Sequence, residues 1–243
     1  LPDVIVTRSD YPINAEIQEK IALFCDVEPR AVIPMQTADI LYEIPLTLEK
    51  TPIANILLDR LGLEARVQPD WKEWEHLVAA LNKPKPEVKI ALVGKYVELH
   101  DAYISVREAL KHAAIANGVE LKLQWIHSTE LEAEPVPDVL ADADGIVVPG
   151  GFGSRGIEGK IKAATHARTT KLPYLGLCLG MQVMVIEFAR EVLNHPRAHS
   201  AEFDRSTPTP IIDLMPEQHD VTEKGGTMRL GLYPCMLREN TKA

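Results

Sequence analysis

Short apolar runs alternate with helical stripes over the first 82 residues of the chain. Residues 4–7 and 31–35 are apolar and contain β-branched side chains, which predicts two buried strands. Between them, Asn14 is expected to cap a helix. The apolar positions of that helix are spaced for one face: Ile17, Ile21 and Phe24. Further helices are predicted over residues 51–62, which open on Thr-Pro, and over residues 71–81, where two tryptophans are expected to pack.

The stretch after these helices has a different composition. Residues 82–87 are polar and contain two prolines, so they cannot continue a helix and are typical of a short linker. The sequence therefore predicts a first domain over residues 1–82, a linker over residues 83–88 and a second domain over residues 89–243.

Strands and helices alternate again in the second domain. Four strands are predicted there: residues 89–93, 121–125, 145–148 and 174–177. Three helices are predicted: one capped by Asp101, one over residues 157–169, and one over residues 179–190 with Met181, Val185 and Phe188 as apolar positions. This alternation predicts an α/β fold with a parallel sheet covered on both faces. In such sheets, reactive residues gather at the carboxyl ends of the strands.

Composition narrows the class of protein. The chain has 243 residues and a formal net charge of −9, which disfavours nucleic-acid or membrane partners. Cys25, Cys178 and Cys235 are far apart and form no CxxC pair, as in a reduced, cytoplasmic protein without a metal site. No transmembrane run and no signal-peptide pattern is found in the sequence. Since the chain opens at Leu1 on an apolar run and ends at Ala243 without a closing element, both ends are expected to be cut.

The strongest chemical signal lies around Cys178. The predicted strand over residues 174–177 runs into this cysteine, glycines stand two positions to either side, and a helix follows at once. This is the pattern of a nucleophile elbow with Cys in place of Ser. The helix amino terminus favours the thiolate, and the N–H of Leu179 is positioned to stabilise an oxyanion. The alternative, a buried structural cysteine, does not explain the order of strand, elbow and helix.

A second signal follows a different strand. Gly150 and Gly151 come directly after the predicted strand over residues 145–148. A glycine turn allows the backbone to approach a substrate, so Gly151 is a candidate for the second oxyanion donor. On its own, such a turn is more often only a connection between a strand and a loop. Here it lies at the end of one strand of the predicted sheet and precedes the elbow cysteine at the end of another, which favours a role in the same site.

Together these residues resemble a known family. Residues 149–153 and 176–182 resemble the class I (triad) glutamine amidotransferases. Further stretches resemble the CTP synthase members of that family: residues 93–96, 101–103, 200–203 and 225–231, and, in the first domain, residues 8–10 and 20–25. The resemblance implies a three-layer, flavodoxin-like amidotransferase domain preceded by the C-terminal part of a Rossmann-like synthetase domain.

The resemblance also implies an activity. Such enzymes hydrolyse glutamine and pass the ammonia to a synthetase domain, where ATP activates UTP and ammonia replaces the phosphate to give CTP. Cys178 would form the γ-glutamyl thioester, with Gly151 and Leu179 as oxyanion donors. Glutamine would be held by seven residues: Gly151, Phe152, Leu179, Gly180, Met181, Gln182 and Glu202.

Nucleotide sites are implied in the same way. Lys20 would contact the UTP or CTP phosphates, and Gln36, Thr37 and Ala38 would lie by the ATP base. Gln36-Thr37 departs from the charged pair associated with this stretch, which puts side-chain contacts to adenine in doubt. Arg155 is a candidate contact for GTP as an allosteric activator. Mg²⁺ would enter with ATP, and the protein ligands of Mg²⁺ would lie outside this sequence. No prosthetic group is expected. The resemblance implies a homotetramer as the assembly.

Some elements of the family are not found. A thiol nucleophile needs a base and a carboxylate that orients it, and the resemblance implies a His-x-Glu, a pattern that none of the eight histidines forms. The chain is therefore expected to be an incomplete fragment, inactive alone. Three alternatives stay open: a class I amidotransferase of another pathway, a cysteine peptidase-like relative, and a non-catalytic regulatory relative.

Overall fold

The computed structural model describes residues 1–215 and, beyond them, positions 218, 221, 222, 232, 236 and 239. The chain divides into two compact units. The first contains Leu1–Pro86 and Ala114–Glu120, and the second contains Glu87–Ala113 and Leu121–Ala243. The chain first passes from one unit to the other between Pro86 and Glu87, within the predicted linker. It returns to the first unit over Ala114–Glu120, and the predicted domain bounds stay a prediction.

The first unit is built on two parallel strands. β1 (Ile5–Ser9) pairs with β2 (Val32–Gln36), and α1 (Ala15–Cys25) connects them. Three helices follow: α2 (Ile44–Glu49), α3 (Ile53–Leu61) and α4 (Lys72–Leu81). The buried core of this unit comprises Ala31, Ile33, Met35 and Ile56. Both predicted strands and all three predicted helices are confirmed, and α2 is an addition.

Local chemistry fixes the helix ends in this unit. The side chain of Asn14 accepts a hydrogen bond from the N–H of Ile17 at 2.9 Å, which confirms the predicted cap. The predicted apolar face of α1 is wrong, however. Ile17 and Phe24 are exposed, and Ala22 is the buried residue of the helix. Periodicity does not decide which side of a helix faces the core when both sides carry apolar residues.

The second unit is built on a four-stranded sheet. Its strands are β3 (Glu87–Gly94), β4 (Glu120–His127), β5 (Gly145–Val148) and β6 (Tyr174–Gly176). The order is β4-β3-β5-β6, and β5 runs parallel to both of its neighbours. This second-first-third-fourth order is the flavodoxin-like one. A separate parallel pair is formed by β7 (Ala198–Ser200) and β8 (Thr209–Ile212).

Helices cover both faces of this sheet. Five of them belong to this part of the fold: α5 (Ile104–Ala116), α6 (Glu130–Ala133), α7 (Val136–Val139), α8 (Ile157–Thr170) and α9 (Leu179–Glu191). Ala91 and Val93 on β3 share a buried cluster with α8 and α9, whereas Leu92 between them packs with Tyr103 and Val106. Since successive strand residues face opposite sides, the unit has three layers. The predicted α/β class with a parallel sheet is confirmed.

Two details differ from the sequence prediction. Asp101 lies inside a 3₁₀ turn (His100–Tyr103), and α5 begins only at Ile104, so Asp101 is not its cap. The apolar positions predicted for α9 are half exposed, because Val183 and Ile186 face the core instead of Val185 and Phe188. Within the described residues, no helix is long and apolar enough to cross a bilayer.

Candidate active site

The turn between β6 and α9 holds Cys178 in a strained conformation. Its φ is 52° and its ψ is −105°, a region that residues with a side chain rarely adopt. The cysteine is exposed and stands immediately before Leu179, the first residue of α9. Strand, sharp turn and helix are therefore arranged as in a nucleophile elbow.

The two glycines that flank the elbow are required by close packing. A Cβ on Gly176 would lie 2.4 Å from the carbonyl carbon of Gly180, and a Cβ on Gly180 would lie 2.0 Å from the carbonyl oxygen of Val148. Both contacts are with backbone, which cannot move aside as a flexible side chain would. The glycines allow the start of α9 to lie directly against the ends of β5 and β6.

The turn after β5 meets the elbow at the carboxyl edge of the sheet. We call residues 150–153 the glycine turn. A Cβ on Gly150 would lie 3.4 Å from the Cβ of Cys178, and a Cβ on Gly151 would lie 3.6 Å from Leu179 Cδ2. Among the described residues, the N–H groups of Gly151 and Leu179 have no hydrogen-bond acceptor. Two unpaired donors beside an exposed thiol are what an oxyanion hole needs.

These groups open onto one cavity of about 300 Å³. It brings together six of the predicted site residues: Gly151, Phe152, Cys178, Leu179, Gln182 and Glu202. Gly180 and Met181 do not line it, because Gly180 is buried and the side chain of Met181 is 48% exposed on the outer side of α9. The remaining lining residues were not predicted for the site: Ser200, Ile212, Asp213, Leu214, Met215 and Gln218.

The segment that carries Glu202 is held by a chain of short-range contacts. The N–H of Glu202 donates to Ser200 Oγ at 3.2 Å, and the N–H of Ser200 donates to His199 Nδ1 at 3.0 Å. Arg190 fixes the start of this segment through a bond from Nε to the carbonyl oxygen of Ala198 at 2.9 Å. Burial, followed by the charge of Arg190, lowers the pKa of His199. Its other ring nitrogen, Nε2, lies 3.9 Å from Glu158 Oε1, and His199 does not line the cavity at Cys178.

Two lysines lie against the glycine turn. Lys95 Nζ donates to the carbonyl oxygen of Phe152 at 3.2 Å. Lys160, on α8, is 1% exposed, and its Nζ lies 3.9 Å from the position that a Cβ of Gly151 would take. Burial, and after it the charge of Lys95, lower the pKa of Lys160 to about 8. No sequence signal marked Lys160, because a lysine in a helical pattern is normally solvated.

A second cavity, of about 380 Å³, lies in the first unit at the carboxyl ends of β1 and β2. Gln36, Thr37 and Ala38 line it together, as the sequence grouped them. Thr37 is fixed by a bond from Oγ1 to Asp10 Oδ1 at 2.7 Å. Lys20 is exposed on α1 and does not line this cavity.

Other predicted residues are not brought into a site. Arg155 is exposed in the loop before α8 and does not line the cavity at Cys178. The glycine-rich stretch 225–231 and Cys235 lie outside the described residues. Across the described part of the chain, no group of three or more His, Cys, Asp or Glu side chains is placed to hold a metal ion, and none of the cavity residues named above is a histidine.

Two family models match the chain. The one described as "Glutamine amidotransferase class-I" matches residues 98–243, and the one described as "CTP synthase N-terminus" matches residues 1–63.

Curated relatives match over almost the whole chain. It is 58% identical to the CTP synthase of Roseiflexus sp. (strain RS-1) over 242 residues, which is 99% of this chain and 43% of the relative. Identity is 56% over 241 residues with the CTP synthase of Chloroflexus aurantiacus (strain ATCC 29366 / DSM 635 / J-10-fl), 99% of this chain and 44% of the relative. The CTP synthase of Dehalococcoides mccartyi (strain CBDB1) is 54% identical over 242 residues, 100% of this chain and 44% of the relative. The chain thus spans less than half the length of these relatives.

A solved structure is similar to part of the chain. It is described as the glutaminase domain of Trypanosoma brucei CTPS with bound acivicin. The TM-score is 0.51 at 42% sequence identity, with 55% of this chain and 52% of that chain covered.

Proposed function

We propose that this chain, which belongs to the class-I glutamine amidotransferase family by its match over residues 98–243, uses Cys178 to attack the side-chain amide of glutamine. One observation carries the proposal. Cys178, exposed and at φ 52°, lines the same cavity as Gly151 and Leu179, whose N–H groups have no hydrogen-bond acceptor among the described residues.

The chemistry follows from this geometry. The thiolate of Cys178 adds to the amide carbon, and the electron pair of the carbonyl moves to its oxygen, where the N–H groups of Gly151 and Leu179 receive the charge. Collapse of this intermediate breaks the C–N bond, and the nitrogen leaves as ammonia after taking up a proton. The γ-glutamyl thioester that remains is then hydrolysed by water to glutamate and free thiol.

Glu202 suits the amino-acid end of glutamine. The α-ammonium group of the substrate needs an anionic partner, and Glu202 supplies a carboxylate that lines the cavity. Gln182, in the first turn of α9, and Phe152, in the glycine turn, line the same cavity as Glu202 and Cys178. Gly180 acts indirectly, since the absence of a Cβ lets the start of α9 lie against Val148. A contact of Met181 with glutamine rests on the resemblance alone.

A full turnover also needs a base for the thiol and an acid for the departing ammonia. The sequence contains no His-x-Glu, and no histidine is found among the described residues that line the cavity. We expect this chain alone to form the covalent bond slowly and to release glutamate very poorly, a loss on the order of 10²–10⁴ in rate.

For the whole protein we propose CTP synthesis. Ammonia from glutamine would replace the phosphate of UTP activated by ATP, which enters with Mg²⁺. The similarity of residues 1–63 to the CTP synthase N-terminus and the cavity lined by Gln36, Thr37 and Ala38 support an ATP site in the first unit. Three further proposals rest on the resemblance: Lys20 for the pyrimidine nucleotide phosphates, Arg155 for GTP as activator, and a homotetramer. A cytoplasmic location is proposed from the three widely spaced cysteines, which form no CxxC pair.

The alternatives are less well supported. An amidotransferase of another pathway does not account for the match of residues 1–63 to the CTP synthase N-terminus. A cysteine peptidase-like relative is disfavoured by Leu179, since that class usually places a histidine directly after the nucleophile. A non-catalytic relative has no need for a strained, exposed Cys178.

The test is covalent labelling with acivicin, a chlorinated glutamine analogue. We expect one equivalent to add at Cys178, located by peptide mass spectrometry. Glutamine should protect against this labelling, whereas norvaline, which has the same carbon chain without the side-chain carbonyl, should not. The matched variant, Cys178→Ala, should take up no label. Equal labelling of Cys25, which is half-buried on α1, would show that the reagent reports general thiol reactivity and would overturn the assignment.

A further inference from the structure

Lys160 is a buried charge beside the active site, found among the described residues, that the proposed reaction does not use. It is 1% exposed and lies one turn into α8. Within the described residues, neither a hydrogen-bond acceptor nor an acidic partner faces its ammonium group. Unpaired buried lysines are rare because the charged form loses its hydration.

The ammonium group of Lys160 lies beside the glycine turn. Its Nζ lies 3.9 Å from the position of a Cβ on Gly151, a residue that lines the cavity at Cys178. The neighbouring cation, Lys95, is bound to the carbonyl oxygen of Phe152 at 3.2 Å. Two positive charges therefore lie on the glycine turn, and the described residues supply no carboxylate to neutralise Lys160 there.

We propose that Lys160 is a positioning residue for the oxyanion: a cation fixed behind Gly151 that favours negative charge on the substrate oxygen in front of it. It does not touch the substrate and acts through the glycine turn. A fixed charge in a cavity of low polarity acts over several ångströms with little screening. The inference rests on the proposed function, since it assumes that an oxyanion forms at Gly151.

The contribution of Lys160 to the rate should be smaller than that of a direct oxyanion donor. Removing a direct oxyanion donor costs about 10²–10³ in rate. Lys160 stands one peptide further away, so we expect its charge to contribute about tenfold.

The experiment compares two reagents at Cys178 in the full chain. The first is the chloromethyl ketone analogue of glutamine. Sγ adds to its ketone carbon, and the ketone oxygen takes the negative charge. Sγ then displaces chloride from the adjacent CH2 carbon while its bond to the ketone carbon breaks and the C=O re-forms, which leaves the thioether. The second is iodoacetamide: the same thiolate attacks its CH2 carbon, iodide leaves, and no oxyanion forms. The ratio of the two rates isolates oxyanion stabilisation from thiol reactivity.

The variant is Lys160→Met, which keeps the length of the side chain and removes its charge. We expect the rate ratio to fall about tenfold, with the iodoacetamide rate within twofold of the original. The matched control is Lys162→Met, on the same helix but exposed, whose Nζ donates to the carbonyl oxygen of Glu132 at 2.9 Å. We expect this variant to leave the ratio unchanged.

The outcomes distinguish the role of Lys160 from the role of Cys178 as nucleophile. An unchanged ratio in Lys160→Met, or an equal fall in both rates, would overturn the role of Lys160 while leaving Cys178 as nucleophile. Failure of the chloromethyl ketone to label Cys178 in the original chain would overturn the proposed function itself. Circular dichroism and thermal unfolding establish that the variant is folded. If it is not, Lys160→Gln is measured in its place.

Discussion

Replacing Cys178 by glycine should stabilise the protein while removing its nucleophile. Cys178 adopts φ 52° and ψ −105°, where a residue with a Cβ is strained and glycine is not. Strain of this kind costs about 1–3 kcal/mol and persists at functional sites. The elbow therefore holds the thiol in place against the preference of its own backbone.

The size of the effect follows from two opposing contributions. Relief of the strain at Cys178 contributes about 1–3 kcal/mol to the free energy of unfolding. The greater freedom of glycine in the unfolded chain removes about 0.4–1 kcal/mol of it. The net gain should be about 1 kcal/mol, which raises the melting temperature by roughly 2–4 °C for a domain of 150–250 residues.

The assay must report on the second unit alone. Hydrogen exchange of peptides from α8 and α9, followed by mass spectrometry under native conditions, gives that local free energy. The control is Cys178→Ala, which also removes the thiol but keeps a Cβ and therefore the strain. We expect slower exchange in Cys178→Gly than in Cys178→Ala. Equal protection in the two variants, or weaker protection in the glycine variant, would refute the argument from backbone strain.

Three further predictions concern other parts of the chain. Gly180→Ala should lower the free energy of unfolding by about 3 kcal/mol in urea denaturation, because its Cβ would meet the carbonyl oxygen of Val148 at 2.0 Å. Lys160→Met should be more stable than the original chain at pH 7. This advantage should shrink as the pH rises through about 8, because Lys160 then loses its proton in the folded protein but keeps it in the unfolded one. A difference in melting temperature that does not change with pH would contradict this. Limited proteolysis should first cut residues 82–87, and a first cut within residues 145–190 would contradict the predicted boundary.

The sequence was sufficient for features that local chemistry determines. The cap at Asn14, the β-branched runs of the sheet and the glycine spacing around Cys178 all correspond to what the structure contains. In each case the local residue pattern is enough to predict the feature, even where, as at Gly180, a contact with another strand also requires it. The elbow is the clearest example, because Gly176 and Gly180 are required by contacts within one turn of chain and with the adjoining strand.

Features that depend on distant packing could not be predicted in this way. The helix α9 carries apolar side chains on more than one side, and only its contact with the sheet decides that Val183 faces the core and Phe188 does not. The part of the cavity wall that follows β8, such as Asp213 and Leu214, has no chemical signature in the sequence. The burial of Lys160 is of the same kind, since it depends on how α8 lies against the glycine turn.

Two unfavourable features of the second unit meet at the glycine turn. Cys178 holds a strained backbone beside Gly150, and Lys160 buries a positive charge beside Gly151. Each lowers stability on its own, and each could be removed by one substitution, to glycine or to methionine. Natural proteins break local rules chiefly where function requires it. Both features lie beside Gly150 and Gly151. Cys178 supplies a nucleophile, and Lys160 supplies the positive charge that an oxyanion needs. We infer that one catalytic requirement accounts for both.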